Sequence, residues 1–136
     1  MSSLAVMVTR GSFNNLVQVV TLVMAAVGSG MSVSVFFRDE AVLKVTKTGA
    51  REINLSGAYR GQEQAVRDRL SAQALTDLPR LLRELLELGE VKLYACSSSM
   101  AICGVEAADL LDGLEVRGLT AFLLEDVATA DKVLTF

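Results

Sequence analysis

Apolar positions along the chain fall in short blocks that alternate between two periods. Leu4–Thr9 is a brief apolar run, Ser32–Phe37 reads Ser-Val-Ser-Val-Phe-Phe, and Val91–Ala95 is rich in strand formers. Leu114–Val116 and Lys132–Phe136 complete the series. Short runs of this kind, bounded by turn residues, predict buried strands. Between them the period lengthens to that of a helix. Ser12 can cap a helix from Phe13 to about Val27, stopped by Gly28 and Gly30, and Arg38-Asp39-Glu40 opens a short helix reaching about Thr46. Thr76 or Asp77 caps a helix with Pro79 in its first turn, Leu78, Leu81, Leu82, Leu85 and Leu86 on one face, and Gly89 at its close. After Val91–Ala95, the serines 97–99 lead into a helix that Gly104 stops. Glu106–Leu111 makes a helical turn and Asp112-Gly113 a tight turn. Leu119–Ala128 is a helix with Leu119, Phe122, Leu123 and Val127 as its apolar positions. Five strands separated by helices predict an α/β fold: an open three-layer α/β/α sandwich on a five-stranded, mainly parallel sheet.

Two stretches stand apart. Lys47–Gln73 carries Gly49, Gly57, Gly61, Arg51, Arg60, Arg67 and Arg69, with few apolar residues outside Ile53–Leu55. It reads as a surface excursion, weakly helical over Ala65–Ala74, that serves either as a lid or interface element or as a solvated loop. Leu16–Met31 is strongly apolar, and no charge occurs between Arg10 and Arg38. Asn14, Gln18 and Thr21 form a polar stripe there, and Gly28-Ser29-Gly30 breaks the run short of the roughly 20 residues a membrane span needs. With no basic segment ahead of it, it reads as a buried helix, and the protein as cytoplasmic with no membrane span.

Composition narrows the chemistry. The 136 residues are 51% hydrophobic with a single proline, which predicts one ordered domain over 1–136. A net charge of −3 without a basic run argues against nucleic acid. Histidine is absent, which removes Cys–His dyads, Ser–His–Asp triads and His-ligated metals. Two cysteines seven positions apart suit neither a disulfide framework nor a common zinc module, so neither metal nor cofactor is expected.

The candidate nucleophile is Cys96. It ends a strand and faces the start of the helix after Ser97, Ser98 and Ser99, a position that favours the thiolate. Ligands of open parallel sheets bind beyond the carboxyl ends of the strands. The first residues beyond the first four strands are Arg10, Arg38, Cys96 and Arg117. Arginine forks suit oxyanions and would lower the thiol pKa. Arg10, Gly11, Ser12, Arg38, Ser97, Ser98, Ser99 and Arg117 are therefore the candidate anion-binding residues, with at least two guanidiniums converging on Cys96; alternatively Asp39 or Glu40 takes Arg38. Cys103, about 10 Å further along the helix, is expected to be buried, slow to react and unable to bridge to Cys96. Cys96 is expected to be the faster of the two to alkylate.

The segment Leu93-Tyr-Ala-Cys96-Ser-Ser-Ser-Met-Ala-Ile-Cys-Gly-Val105, followed by Asp109-Leu-Leu-Asp-Gly113 and Gly118-Leu-Thr-Ala-Phe122, resembles the DsrE/F-like family. Within it the chain looks most like the branch often labelled peroxiredoxin-like, which the opening Val-Thr-Arg-Gly-Ser and Val-Phe-Phe-Arg-Asp also fit. The resemblance implies a flavodoxin-like fold, homo- or hetero-oligomers, and a cysteine carrying a persulfide or related sulfur adduct, at the position of Cys96. The peroxiredoxin label lacks its chemistry: that site is Pro-x-x-x-Thr-x-x-Cys, and the only proline here is Pro79.

Three functions follow. The first is a sulfur carrier or sulfurtransferase on Cys96, exchanging sulfur with donor and acceptor proteins or small sulfur anions. The second is a non-catalytic oligomeric interaction module with Cys96 as a core residue. The third is a thiol redox protein, for which Cys103 is the one available resolving thiol. The helix Phe13–Val27, apolar around more of its girth than one sheet face can cover, predicts a homo-oligomer, which the resemblance makes a trimer or hexamer.

Overall fold

The computed structural model describes residues 2–136. Its strands are β1 (Ser3–Val8), β2 (Ser32–Phe37), β3 (Val91–Cys96), β4 (Leu114–Arg117) and β5 (Lys132–Thr135). They form one sheet in the order β4-β3-β2-β1-β5, parallel at every pairing, so the mainly parallel sheet of the sequence reading is wholly parallel. The helices are α1 (Phe13–Gly28), α2 (Glu40–Lys44), α3 (Glu63–Ala72), α4 (Leu78–Leu88), α5 (Ser97–Cys103) and α6 (Leu119–Phe122). The helix expected to run to Ala128 changes character partway, and residues Leu123–Val127 form a π turn.

Alternation along the strands sends side chains to two unlike faces. Leu4, Val6 and Val8 of β1, Val33, Val35 and Phe37 of β2, and Val91, Leu93 and Ala95 of β3 join the main core with α1, α2, α4 and Met100 of α5. The intervening residues Ala5, Phe36, Tyr94 and Cys96 form a second, smaller cluster with Phe122 of α6. Four helices thus contribute to one face, and the stretch from Leu119 to Val127 lies on the other.

The apolar girth of α1 is absorbed within the chain. Leu16, Val17, Val19, Val20 and Val23 are all buried, because α4 lays its leucine face alongside α1. Met24 is the large apolar residue of α1 left exposed. The exposed apolar side chains lie instead mostly around β4, the π turn and β5: Val116, Leu123, Leu124, Val133 and Leu134.

The excursion after α2 is a surface element, and α3 buries none of its residues. Its first part is held down by polar groups. Ser56 N–H donates to Asn14 Oδ1 at 2.9 Å, which is what the first member of the polar stripe on α1 does, while Gln18 and Thr21 face solvent. Lys44 is 3% exposed, and its ammonium donates to Gly49 O at 3.0 Å, Glu52 O at 2.8 Å and Asn54 Oδ1. Three donors meet three acceptors, which offsets the cost of enclosing the charge. Burial holds the Lys44 pKa below the ordinary lysine value, against the pull of Glu52. Lys44→Met keeps the bulk and strands the three acceptors. It should lower the unfolding free energy by roughly 2–4 kcal/mol, read as a fall in the urea midpoint. An unchanged midpoint would show that Lys44 does not clamp the loop.

Candidate functional site

Cys96 is the last residue of β3, and α5 begins at the next position, so its backbone caps the helix in extended conformation. The thiol is 0% exposed. Its Sγ lies 3.2 Å from Ser98 Oγ. Burial pushes the Cys96 thiol up, but hydrogen bonds from the hydroxyls and backbone N–H groups of Ser98 and Ser99 outweigh it, and the pKa falls below the ordinary value of 9.0. Such bonds stabilise the charged form without bringing it into water. Ser97 is exposed and is not among the residues bonded to the sulfur, whereas Ser99 is buried.

Ser99 also ties α5 to the neighbouring loop. Its hydroxyl accepts the N–H of Asp39 at 2.9 Å, and the Cys103 thiol donates to Asp39 O at 3.7 Å. Asp39 has φ 49° and ψ −131°, a conformation that costs a residue with a Cβ on the order of 1–3 kcal/mol. The turn after β2 is therefore strained, and α5 holds it through both backbone polar groups of one residue, the N–H and the C=O of Asp39. Cys103 is half-buried, lining an open cavity of about 430 Å³ with Leu43, Lys47 and Asp109. This corrects the expected order of exposure: Cys103 is the more accessible thiol and Cys96 the enclosed one. Both cysteines are free.

The parallel register sets the arginines. Cys96 pairs with Arg117 across β3 and β4, and Phe37 pairs with Ala95, so Arg38 follows beside Cys96 on its other flank. Arg38, Cys96 and Arg117 thus leave the sheet at one level. The Nε atoms of both arginines are buried without a hydrogen-bond partner. The Arg117 guanidinium stacks over the Tyr94 ring at 4.7 Å, bonds to Glu125 and lies 3.1 Å from Asp126 Oδ2. Burial works against its charge, yet the Glu125 bond and Asp126 more than offset that and raise its pKa. Tyr94 is held above the ordinary phenol value, first by burial and then by Asp126.

Arg10, Gly11 and Ser12 are not brought to the thiol. They follow β1, two strands away from β3, roughly 10 Å at the usual strand spacing. Arg10 is exposed. The Ser12 hydroxyl caps α1 by accepting Asn15 N–H at 3.3 Å. A Cβ on Gly11 would lie 2.5 Å from Glu40 O, so the glycine lets the turn pack against α2. The neighbours that sequence reasoning missed are Tyr94, Phe36, Phe122, Glu125 and Asp126. Tyr94 alone carried a signal, two positions before Cys96 on the same strand face. Among the described residues no cluster of three metal-ligating side chains occurs, and no helix is long and apolar enough to cross a membrane.

The sequence matches the family model described as DsrE/DsrF-like over residues 3–136. No curated protein sequence matches. Among solved structures the fold is similar to the ychN protein of E. coli, with a TM-score of 0.64 at 22% identity over 100% of both chains. It is also similar to MTH1491 of Methanobacterium thermoautotrophicum, with a TM-score of 0.69 at 13% identity, covering 98% of this chain and 99% of that one. BT1422 of Bacteroides thetaiotaomicron gives 0.63 at 14% identity over 99% and 95%. The last two are described as proteins of unknown function.

The depressed thiol pKa carries a stability consequence. An acid whose folded pKa lies below its unfolded value stabilises the fold above that range and loses the contribution as pH falls through the folded pKa. The parent's stability relative to Cys96→Ser should therefore grow as pH rises towards 9.0. Ser98→Ala should move the thiolate absorbance titration upward. A flat difference across that range contradicts the hydrogen-bonding account.

Proposed function

The chain belongs to the DsrE/DsrF-like family, which is associated with sulfur metabolism, and from this we propose that it is a cytoplasmic sulfur carrier that holds a persulfide on Cys96. The observation that carries the reading is the Cys96 sulfur at the end of β3, facing the hydroxyl and N–H donors of Ser98 and Ser99. The thiolate attacks the outer sulfur of a thiosulfate or polysulfide; a new S–S bond forms at Cys96, the donor's S–S bond breaks, and sulfite or the shortened polysulfide leaves with the electron pair. An acceptor thiolate then attacks the outer sulfur of the persulfide, and Cys96 departs as the thiolate. The same donors serve the sulfur in both steps. Arg38 and Arg117, level with Cys96 and each with a buried unpartnered Nε, support an anionic donor. Arg10, Gly11 and Ser12 serve at most the approach to this edge of the sheet.

A second reading, an oligomeric interaction module with Cys96 as a core residue, is favoured by the complete burial of that thiol. A redox couple with Cys103 fits less well. Residues 97–103 are helical, which separates the two Cα atoms by about 10 Å, beyond the reach of a disulfide.

Incubation with thiosulfate or polysulfide, followed by intact mass, should add sulfur to the parent and to Cys103→Ser, and none to Cys96→Ser. No sulfur on the parent selects the second reading, and sulfur that stays on Cys96→Ser places the adduct on Cys103 and overturns the assignment to Cys96. The exposed Val116 of β4 and Val133 and Leu134 of β5, on the two edge strands of the sheet, support assembly into a homo-oligomer, a trimer or hexamer. Light scattering at micromolar concentration should show it, and a monomer would remove oligomerisation from both readings.

A further inference from the structure

A carrier cysteine must be reached by its donor, and Cys96 is wholly enclosed. Resting on the carrier reading, we propose that residues 119–127 are a lid over Cys96, latched shut by Arg117 and Ser34 through Glu125 and Asp126. The lid comprises α6 and the π turn after it, and its Phe122 shares the small apolar cluster with Cys96. Phe122 is the plug: its ring stacks on Phe36 at 4.5 Å and meets Tyr94 edge-on at 6.1 Å. Leu119 and Val127 pack beside it, while Leu123 and Leu124 face solvent. Few apolar contacts therefore hold the segment.

Polar bonds supply the rest of the hold. Asp126 accepts the Ser34 hydroxyl at 3.0 Å and stands 3.1 Å from Arg117 Nη2, and Glu125 accepts from the same guanidinium. These links join the lid to β2 and to β4, on either side of β3. Arg117 is thus both the register neighbour of Cys96 and the anchor of the segment above it. Water can replace each of these bonds, so the segment can open by itself while the four-helix face stays packed. A π turn in the lid adds to this, since such turns occur in short pieces and interrupt the regular helical ladder. On opening, Phe122 withdraws, the Cys96 sulfur meets solvent, and the Arg117 fork is released beside it for an incoming anion.

The test uses iodoacetamide labelling of Cys96 in a Cys103→Ser background, with no sulfur compound present, so that its outcome is independent of sulfur loading. The parent should label slowly. Asp126→Asn and Ser34→Ala should label faster, about tenfold for Asp126→Asn if the lost bonds hold the lid shut. High salt should speed labelling of the parent. Hydrogen exchange on the parent should show the amides of 119–127 opening before those of β1–β3, which decides the matter even if a latch variant fails to fold. Equal labelling rates in parent and variants, or amides of 119–127 that exchange only with the strands, would overturn the lid. A lid that opens over a thiol that takes up no sulfur would overturn the carrier instead.

Discussion

A parallel sheet must be covered on both faces, and this chain covers its two faces very unequally. One side receives α1, α2, α4 and α5 and forms nearly the whole core. The other receives a nine-residue segment and five buried side chains. The consequence reaches every part of the molecule that has chemistry to offer. Cys96 alternates onto the thin side, so its enclosure depends on a short element with polar anchors, while its hydrogen-bond donors come from α5, which packs with α2.

The environment of that sulfur combines opposed effects. Burial disfavours the thiolate, and donors from two adjacent serines favour it and prevail. Keeping those donors in place requires α5 to sit firmly. The strained Asp39 residue, its N–H held by Ser99 and its C=O by Cys103, ties α5 to the end of β2. Strain of this kind persists only where the surroundings over-determine it. Cys103 thus has a structural task that accounts for its place at the end of α5, independent of any redox partnership.

Charge follows the same division. Lys44 is enclosed on the thick side and saturated by three acceptors, so it organises a loop. Arg117 lies on the thin side, stacked on Tyr94 and bonded to carboxylates of the segment that covers the thiol. The first is a fixed clamp, because Lys44 is buried and its three donors are matched by three acceptors of the same loop. The second is an exchangeable one, because Glu125 is exposed and an incoming anion offers the guanidinium the same kind of partner.

Most of the fold was legible in the sequence. Strand alternation, the Ser12 and Asp77 caps, the leucine face of α4 and the Gly104 stop are local patterns, and a local pattern is enough to make an element. The strand ends that place Arg38, Cys96 and Arg117 at one edge of the sheet were legible for the same reason. What only the tertiary structure decided is which of these residues meet. Strand order put Arg10, Gly11 and Ser12 two strands from the thiol, although they occupy the same edge. Register set Arg117 beside Cys96, and a π turn that no propensity announces carried Glu125 and Asp126 back onto that arginine. Burial of Cys96 and half-exposure of Cys103 likewise depend on what packs against each face. Periodicity records how a residue points from its own element; exposure and partnership depend on the other elements, which are distant along the chain and encoded elsewhere in it.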